Sequence, residues 1–576
     1  MNSPDTPSAS GGLDNVEKAV SMNHPEDIKS VNVQGIESDP SSQLHRGLQA
    51  RHVSMIAIGG ALGTGLIIGT GRALAQAGPG SVFISYVSIG FIVYLVMGAL
   101  GEMAAWLPMS SGFTGYATRF CHPSLGFALG WTLWFKYIIL TPNQLTAAAL
   151  VIQFWLPRET VNPGGFIAIF LVVILVVNLL GIKYFGEVES WLSSFKILVI
   201  IGLMIFALVL ALGGGPDRDR KGFRYWSNPG AFREYIDTGD LGRFLGFWSS
   251  MINAVFAYLG TELVGITVAE AQNPRKTIPK AIKLTFYRIA FFYCLSSLLV
   301  GMLVPYDSEE LAFATKAKTS AAASPFVVAA VLAGVDVFPH IINGCILVFI
   351  FSACNTDLYI ASRTLYALAS DRKAPSIFKR TNSKGVPIYA LCTSALFCLL
   401  AFMNVSDSST LVFGYFVNLT SILGLLTWMS ILLSHIFWSR ARKRQGLTDD
   451  MMPFVAPFGI WGSYVALFIC AIVALTKNYD VFTRWNQEPF GVNKYKTFIT
   501  GYLGIPVFFG LFIGHKVFTK STRVRSDEAD FFSGKEIIDR EEEEFLAERA
   551  AREAEDQTKK MNPVKWFYVR VLSWVF

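Results

Sequence analysis

Ile58-Gly59-Gly60-Ala61-Leu62-Gly63-Thr64-Gly65-Leu66 interrupts the apolar run 53–75, and Phe256-Ala257-Tyr258-Leu259-Gly260-Thr261-Glu262 interrupts the run 244–270. Glycine is a poor helix former and permits close or irregular backbone, so both runs read as helices broken part-way along. Within a bilayer such a break leaves amides and carbonyls unpaired, which is tolerable only where they line a cavity or meet a ligand. Glycine-interrupted helices at corresponding positions of two halves point to a transporter's binding site. Each half-helix N-terminus offers free N–H groups and a positive dipole to a carboxylate, and the carbonyls of the preceding halves suit an ammonium. An α-amino acid carries both charges a few ångströms apart. The bland alternative is close helix packing through small residues such as Gly59 and Gly63.

The rest of the chain supplies the membrane. Of 576 residues 52% are apolar and 16% charged, against about 25% charged in soluble domains. A helix needs about 20 apolar residues to span the hydrocarbon. About twelve segments qualify, at 53–75, 82–105, 124–154, 164–183, 190–212, 244–270, 284–304, 337–368, 387–404, 410–438, 458–476 and 498–518. They are apolar all round, so the class is an all-α membrane protein, whereas a β-barrel would alternate. The two breaks open two halves of five segments each, with two further helices behind them. Residues 1–50 read as a disordered polar tail without the apolar region of a signal peptide. Residues 51–520 form the transmembrane domain and 521–576 a second tail. That tail carries an acidic run, Glu541 to Asp556, and a basic aromatic end, Lys565 to Phe576, which suits either an interfacial helix or a frayed terminus.

Positive residues cluster in the loops 273–283, 371–384 and 439–445, while 404–410 has none. The positive-inside rule then puts both termini in the cytosol. Loop 213–243 is external in that scheme despite Arg218, Arg220, Lys221 and Arg224, since long loops cross largely regardless of charge. The net charge of +7 is accounted for by these loops and calls for no nucleic acid. Seven cysteines without metal-ligand spacing read as buried free thiols. No nucleophile elbow, phosphate loop or metal cluster supports an enzyme.

The chain resembles fungal amino acid permeases of the amino acid–polyamine–organocation superfamily from about residue 46 to 520. The likeness lies in the block Gly59 to Leu66, in Ala77-Gly78-Pro79-Gly80, Gly101-Glu102-Met103-Ala104 and Gly126-Phe127-Ala128-Leu129-Gly130-Trp131. It continues in Glu270 to Pro279 and Ala361-Ser362-Arg363-Thr364-Leu365, with Ala374-Pro375 after it. The resemblance implies a five-plus-five inverted repeat and proton-coupled uptake at the plasma membrane, with no cofactor beyond the coupling proton. The substrate carboxylate would meet the backbone of Gly63, Thr64 and Gly65, and the ammonium carbonyls near Ala61, Phe256 and Leu259. Phe256 and Tyr258 would wall or gate the pocket, with Ala257 and Gly260 in the same break. By the same analogy Lys18 and Lys29 would be ubiquitin acceptors, the alternative being idle lysines of a disordered tail.

Ionisable groups inside a membrane are costly and mark function by default. Glu262, after the second break, reads as a gating or proton-linked group, or else as a fixed structural partner. Lys196, about five residues into its span and roughly 8 Å deep, either couples protons or snorkels. Asp357 is a second proton carrier or the partner of a cation such as Lys136. In segment three, Lys136 and Gln144 stand where many relatives carry a neutral residue and Glu, which makes the site more positive and favours glutamate or aspartate. This segment and the block Gly213 to Trp226 are most similar to dicarboxylic amino acid permeases. An acidic substrate enters against an inside-negative potential, so more than one proton per dicarboxylate is expected. A broad or neutral substrate range, or a sensor that binds without transport, are the alternatives.

Overall fold

A computed structural model describes residues 63–109, 111–263, 287–312, 322–406, 408–482 and 492–536, with isolated positions at 280, 282 and 284 and between 539 and 547. Among the described residues the regular structure is helical, with one isolated bridge between Leu311 and Ala322. Leaving aside the shorter helices Gly112–Tyr116, Pro325–Leu332 and Val492–Tyr502, the principal helices begin with α1 (Thr70–Ala77, continuing a π-turn at Gly65–Gly69), α2 (Pro79–Trp106), α3 (Pro123–Ile152), α4 (Pro163–Leu179), α5 (Ile182–Ala211) and α6 (Gly239–Tyr258). The next are α7 (Leu295–Leu303, continuing a π-turn at Ile289–Cys294), α8 (Phe338–Ser370) and α9 (Ile388–Phe397, prolonged by a 3-10 segment to Val405). The last three are α10 (Ser409–Arg444), α11 (Gly459–Thr476) and α12 (Gly504–Thr519).

Helix falls within each of the twelve apolar segments. Among the described residues eight helices are long and apolar enough to cross a bilayer, and α4 and the Ile289–Leu303 stretch are shorter apolar helices. The residues before Gly63, Ala61 among them, and those from 264 to 279 lie outside the described residues, as do Lys18, Lys29 and the basic aromatic end.

Local chemistry sets several of the starts. Pro79, Pro123 and Pro163 occupy the first positions of α2, α3 and α4, where a missing N–H costs nothing. Asn162 Oδ1 accepts from Gly164 N (2.8 Å), and His122 Nδ1 accepts from Ser124 N (3.0 Å). His122 therefore does a capping acceptor's work.

The perimeter is apolar. Trp191, Phe468 and Phe518 are 76%, 67% and 91% exposed, on α5, α11 and α12. Apolar surface on this scale belongs against lipid, so the chain is a multi-pass membrane protein. The interior is built around α3, which packs most extensively on α8 and α10 and also on α12, while α6 packs on α1 and α2. Glu102 of α2 pairs with His435 (3.0 Å) and Arg442 (3.3 Å) of α10 and accepts from Ala456 N (2.8 Å).

One expectation changes. Cys392 is exposed and Cys294 and Cys345 are half-buried, so the thiols are free but not uniformly inside. The tail expected from 521 begins as an ordered strap across the ends of α2, α3 and α10. Val524 N donates to Cys121 O (3.2 Å), Trp106 Nε1 to Phe531 O (3.0 Å) and Gln445 Nε2 to Ala529 O (2.7 Å). Phe531 is fully buried, its ring 5.1 Å from Phe120 and 5.9 Å from Trp438. The connection between α5 and α6 carries its own counter-charges. Lys221 pairs with Asp217 (2.9 Å), and Arg224 grips Asp219 through two hydrogen bonds (2.7 and 2.6 Å) that hold that carboxyl below its ordinary range.

Candidate substrate site

The break after α6 is explicit. The helix stops at Tyr258, Leu259 turns to ψ 138°, and Gly260 takes φ +98°, a conformation that favours glycine. On the other side Gly63 sits in a bend and helix begins at Thr64. The two interruptions press together at Gly65, where an added Cβ would come within 2.4 Å of Ala257 Cα and 3.0 Å of Phe256 O. At Gly63 a Cβ would meet nothing within 4 Å. Packing and ligand access, alternatives for the glycine-rich segment, are thus divided between neighbouring glycines.

A cavity lies at this junction. It is lined by Gly63, Thr64, Gly65, Leu140, Gln144, Phe256, Ala257, Leu259, Gly260, Ala353, Thr356 and Asp357. Its free volume is about 20 Å³, room for about one water, so an amino acid enters only when the lining parts. One polar chain crosses it. Thr64 Oγ1 donates to Gln144 Oε1 (2.7 Å), and Gln144 Nε2 donates to Asp357 Oδ2 (3.1 Å), joining the start of the first helix to α3 and α8. Thr356 Oγ1, also in the lining, is buried without a hydrogen-bond partner.

Lys136 does not line the cavity. It forms an ion pair with Glu262, the two side chains 0% and 1% exposed, rather than with Asp357 or with the substrate space. The other Glu262 oxygen accepts from Gly260 N (3.2 Å) and Trp428 Nε1 (3.3 Å). Glu262 therefore fastens the α6 break to α3 and α10. The extra positive charge expected at the site is taken up by this pair, and among the described residues the lining contains one carboxylate and no cation.

A family model for amino acid permeases matches residues 52–527. The chain belongs to the amino acid permease family. The permease is 50% identical over 541 residues to the dicarboxylic amino acid permease of Saccharomyces cerevisiae, covering 93% of its own length and 88% of that protein. It is 40% identical over 508 residues to a proline-specific permease of Emericella nidulans, covering 88% and 91% respectively. In fold it is similar to a Na+-coupled sialic acid symporter solved in a substrate-bound outward-open state. That likeness has a TM-score of 0.50 at 11% identity and covers 83% of the permease and 92% of the symporter. These relatives are permeases and transporters, not enzymes.

The remaining site expectations fall as follows in the permease. Phe256 lines the cavity and meets Phe413 edge-on at 5.8 Å. Tyr258 turns the other way, its hydroxyl donating to Tyr86 O (2.9 Å) and its ring stacked on Tyr293 at 4.3 Å. Lys196 is fully buried and 3.5 Å from Glu189 Oε1, which also accepts from Ser352 Oγ (2.6 Å) and Ser193 Oγ (3.3 Å). Its helix starts at Ile182 rather than near 190, so Lys196 lies about 21 Å along α5. It is held inside instead of snorkelling. Sequence reasoning passed over Leu140, Ala353 and Thr356. Helical spacing carried the signal, since Leu140 is four residues before Gln144, and Ala353 is four before Asp357.

Proposed function

We propose that the permease imports acidic amino acids together with protons by alternating access. The substrate binds where the first helix starts, its α-carboxylate toward the amides of Gly63, Thr64 and Gly65 and its ammonium toward carbonyls around Phe256 and Leu259. The observation that carries the reading is the Thr64–Gln144–Asp357 chain. It places a buried carboxylate beside the position proposed for an anion. Like charges at close range in low dielectric repel strongly, so substrate binding and protonation of Asp357 favour each other. That linkage couples a proton to each substrate without an added cofactor. Identity to a relative named for dicarboxylic amino acids supports the acidic substrate.

The further parts of the account are a five-plus-five inverted repeat of twelve spans with two additional helices, residence in the plasma membrane, cytosolic termini and ubiquitin-dependent control through the tails. Moving one charge through 100 mV is worth about 2.3 kcal/mol, so net entry of a dicarboxylate requires more than one proton. Lys196 with Glu189, and Glu262 with Lys136, are the groups nearest to hand for the second. A neutral or broad-range substrate is the second reading, favoured by the cation-free lining of the cavity.

The test compares wild type with Asp357→Asn in proteoliposomes carrying an internal pH dye. Glutamate-driven acidification that is lost or halved in the variant, with substrate binding retained, supports the reading. Acidification per glutamate that is equal in both sinks it.

A further inference from the structure

Positive charge sits in a second, larger cavity. This one encloses about 330 Å³, within the roughly 300–1,000 Å³ typical of small-molecule pockets. Its lining includes Arg72 and Gln76 of α1, Asn253 of α6, Asn418 of α10, and Lys477 and Asp480 after α11. Arg72 Nη1 is buried with no hydrogen-bond partner. The guanidinium lies over the bare backbone of Gly414, where an added Cβ would come within 3.1 Å of both Nη1 and Nη2. Lys477 is 2% exposed, and its Nζ donates to Asn418 O (2.5 Å). An ammonium has three donors, and this bond uses one. The lining thus holds two basic side chains and the single carboxylate of Asp480, which acts electrostatically on Arg72 as well as on Lys494.

Asp480 offsets part of the Arg72 charge, but a buried N–H without a hydrogen-bond partner is costly, and a guanidinium's planar fork suits a carboxylate through two parallel bonds. Arg72 stands seven residues beyond Gly65, about 10 Å along the first helix. Asn253 precedes Phe256 by about one turn of α6. Phe256, in the lining of the smaller, inner cavity, meets Phe413, whose neighbour Gly414 lines the larger one, here called the outer cavity. The two cavities therefore share the same pair of helices, with this aromatic pair where they adjoin.

We infer that the larger cavity is a carboxylate-binding site, in which Arg72 and Lys477 hold an acidic amino acid before it passes Phe256 to the inner site. This rests on the acidic-substrate reading above, and it supplies the cationic contact that the inner lining lacks.

The experiment is equilibrium binding of radiolabelled L-glutamate to the full-length permease in nanodiscs, for wild type, Arg72→Gln, Arg72→Lys and Lys477→Gln. The expected result is two glutamates per chain in wild type, falling to one in Arg72→Gln and Lys477→Gln, with the second recovered in Arg72→Lys. If Arg72→Gln does not give a monodisperse protein, Lys477→Gln decides. One glutamate per chain in wild type and in the folded variants overturns the outer site and leaves the acidic reading standing. No glutamate binding in wild type, with radiolabelled proline bound instead, overturns that reading and this inference together.

Discussion

Lys136 and Glu262 form an ion pair that is almost wholly withdrawn from solvent, tying the middle of α3 to the turn that ends α6. Removing one partner of such a pair strands a charge and costs about 3–5 kcal/mol, whereas replacing both by apolar groups is close to neutral. Lys136→Met and Glu262→Met alone are therefore expected to lower the melting temperature sharply, and the double variant to restore most of it. Thermal unfolding of the four purified proteins measures this. Single variants that melt with wild type would mean the pair is not closed in the membrane.

Neighbouring glycines are expected to behave differently. Gly65→Ala forces a methyl into the Ala257 backbone and should abolish surface expression or uptake, since overpacking costs about 1–3 kcal/mol even where side chains yield. Gly63→Ala meets nothing within 4 Å. Its protein should fold normally, with any effect confined to the apparent affinity for substrate. Surface fluorescence of tagged variants with uptake kinetics separates the two, and equal tolerance would contradict the close approach at Gly65.

Gly260→Ala tests the break itself. The position holds φ +98°, and a non-glycine residue there carries strain of about 1–3 kcal/mol. We expect reduced uptake and a lower melting temperature, with Gly260→Asn less damaging than Gly260→Val because asparagine accepts a positive φ more readily. Equal effects of the two would argue against a left-handed turn.

Much of this was legible in the sequence, and the reasons differ by element. Glycine spacing and apolar length located both interruptions, because backbone permissiveness is a property of the residue itself. Gln144 and Asp357 stood out as polar groups in apolar runs, and both line the cavity. The partner of Lys136 was not legible: the sequence suggested Asp357, and Glu262 emerges only once three helices are placed around the lysine. Tyr258 shares its segment with Phe256, but two residues along a helix point to different faces. Arg72 and Lys477 were passed over even though each lies in or beside an apolar run, because their shared cavity forms only when α1, α6, α10 and α11 converge.

The strap after α12 gives a prediction of another kind. Phe531 is buried between Phe120 and Trp438, and truncating a buried phenylalanine costs about 3–5 kcal/mol. The segment is held by few other apolar anchors, so Phe531→Ala should release it locally rather than unfold the bundle. Limited proteolysis is expected to cut the variant within 521–535 several times faster than wild type, with the transmembrane core intact. Unchanged protection would show that the segment's backbone bonds suffice.

The central claim is best tested by radiolabelled glutamate uptake in permease-deficient yeast expressing the chain, at acidic and neutral pH, with excess aspartate or leucine competing. The account predicts strong uptake at acidic pH, weak uptake at neutral pH, and block by aspartate but not leucine. Equal block by leucine, or uptake indifferent to pH, would contradict it.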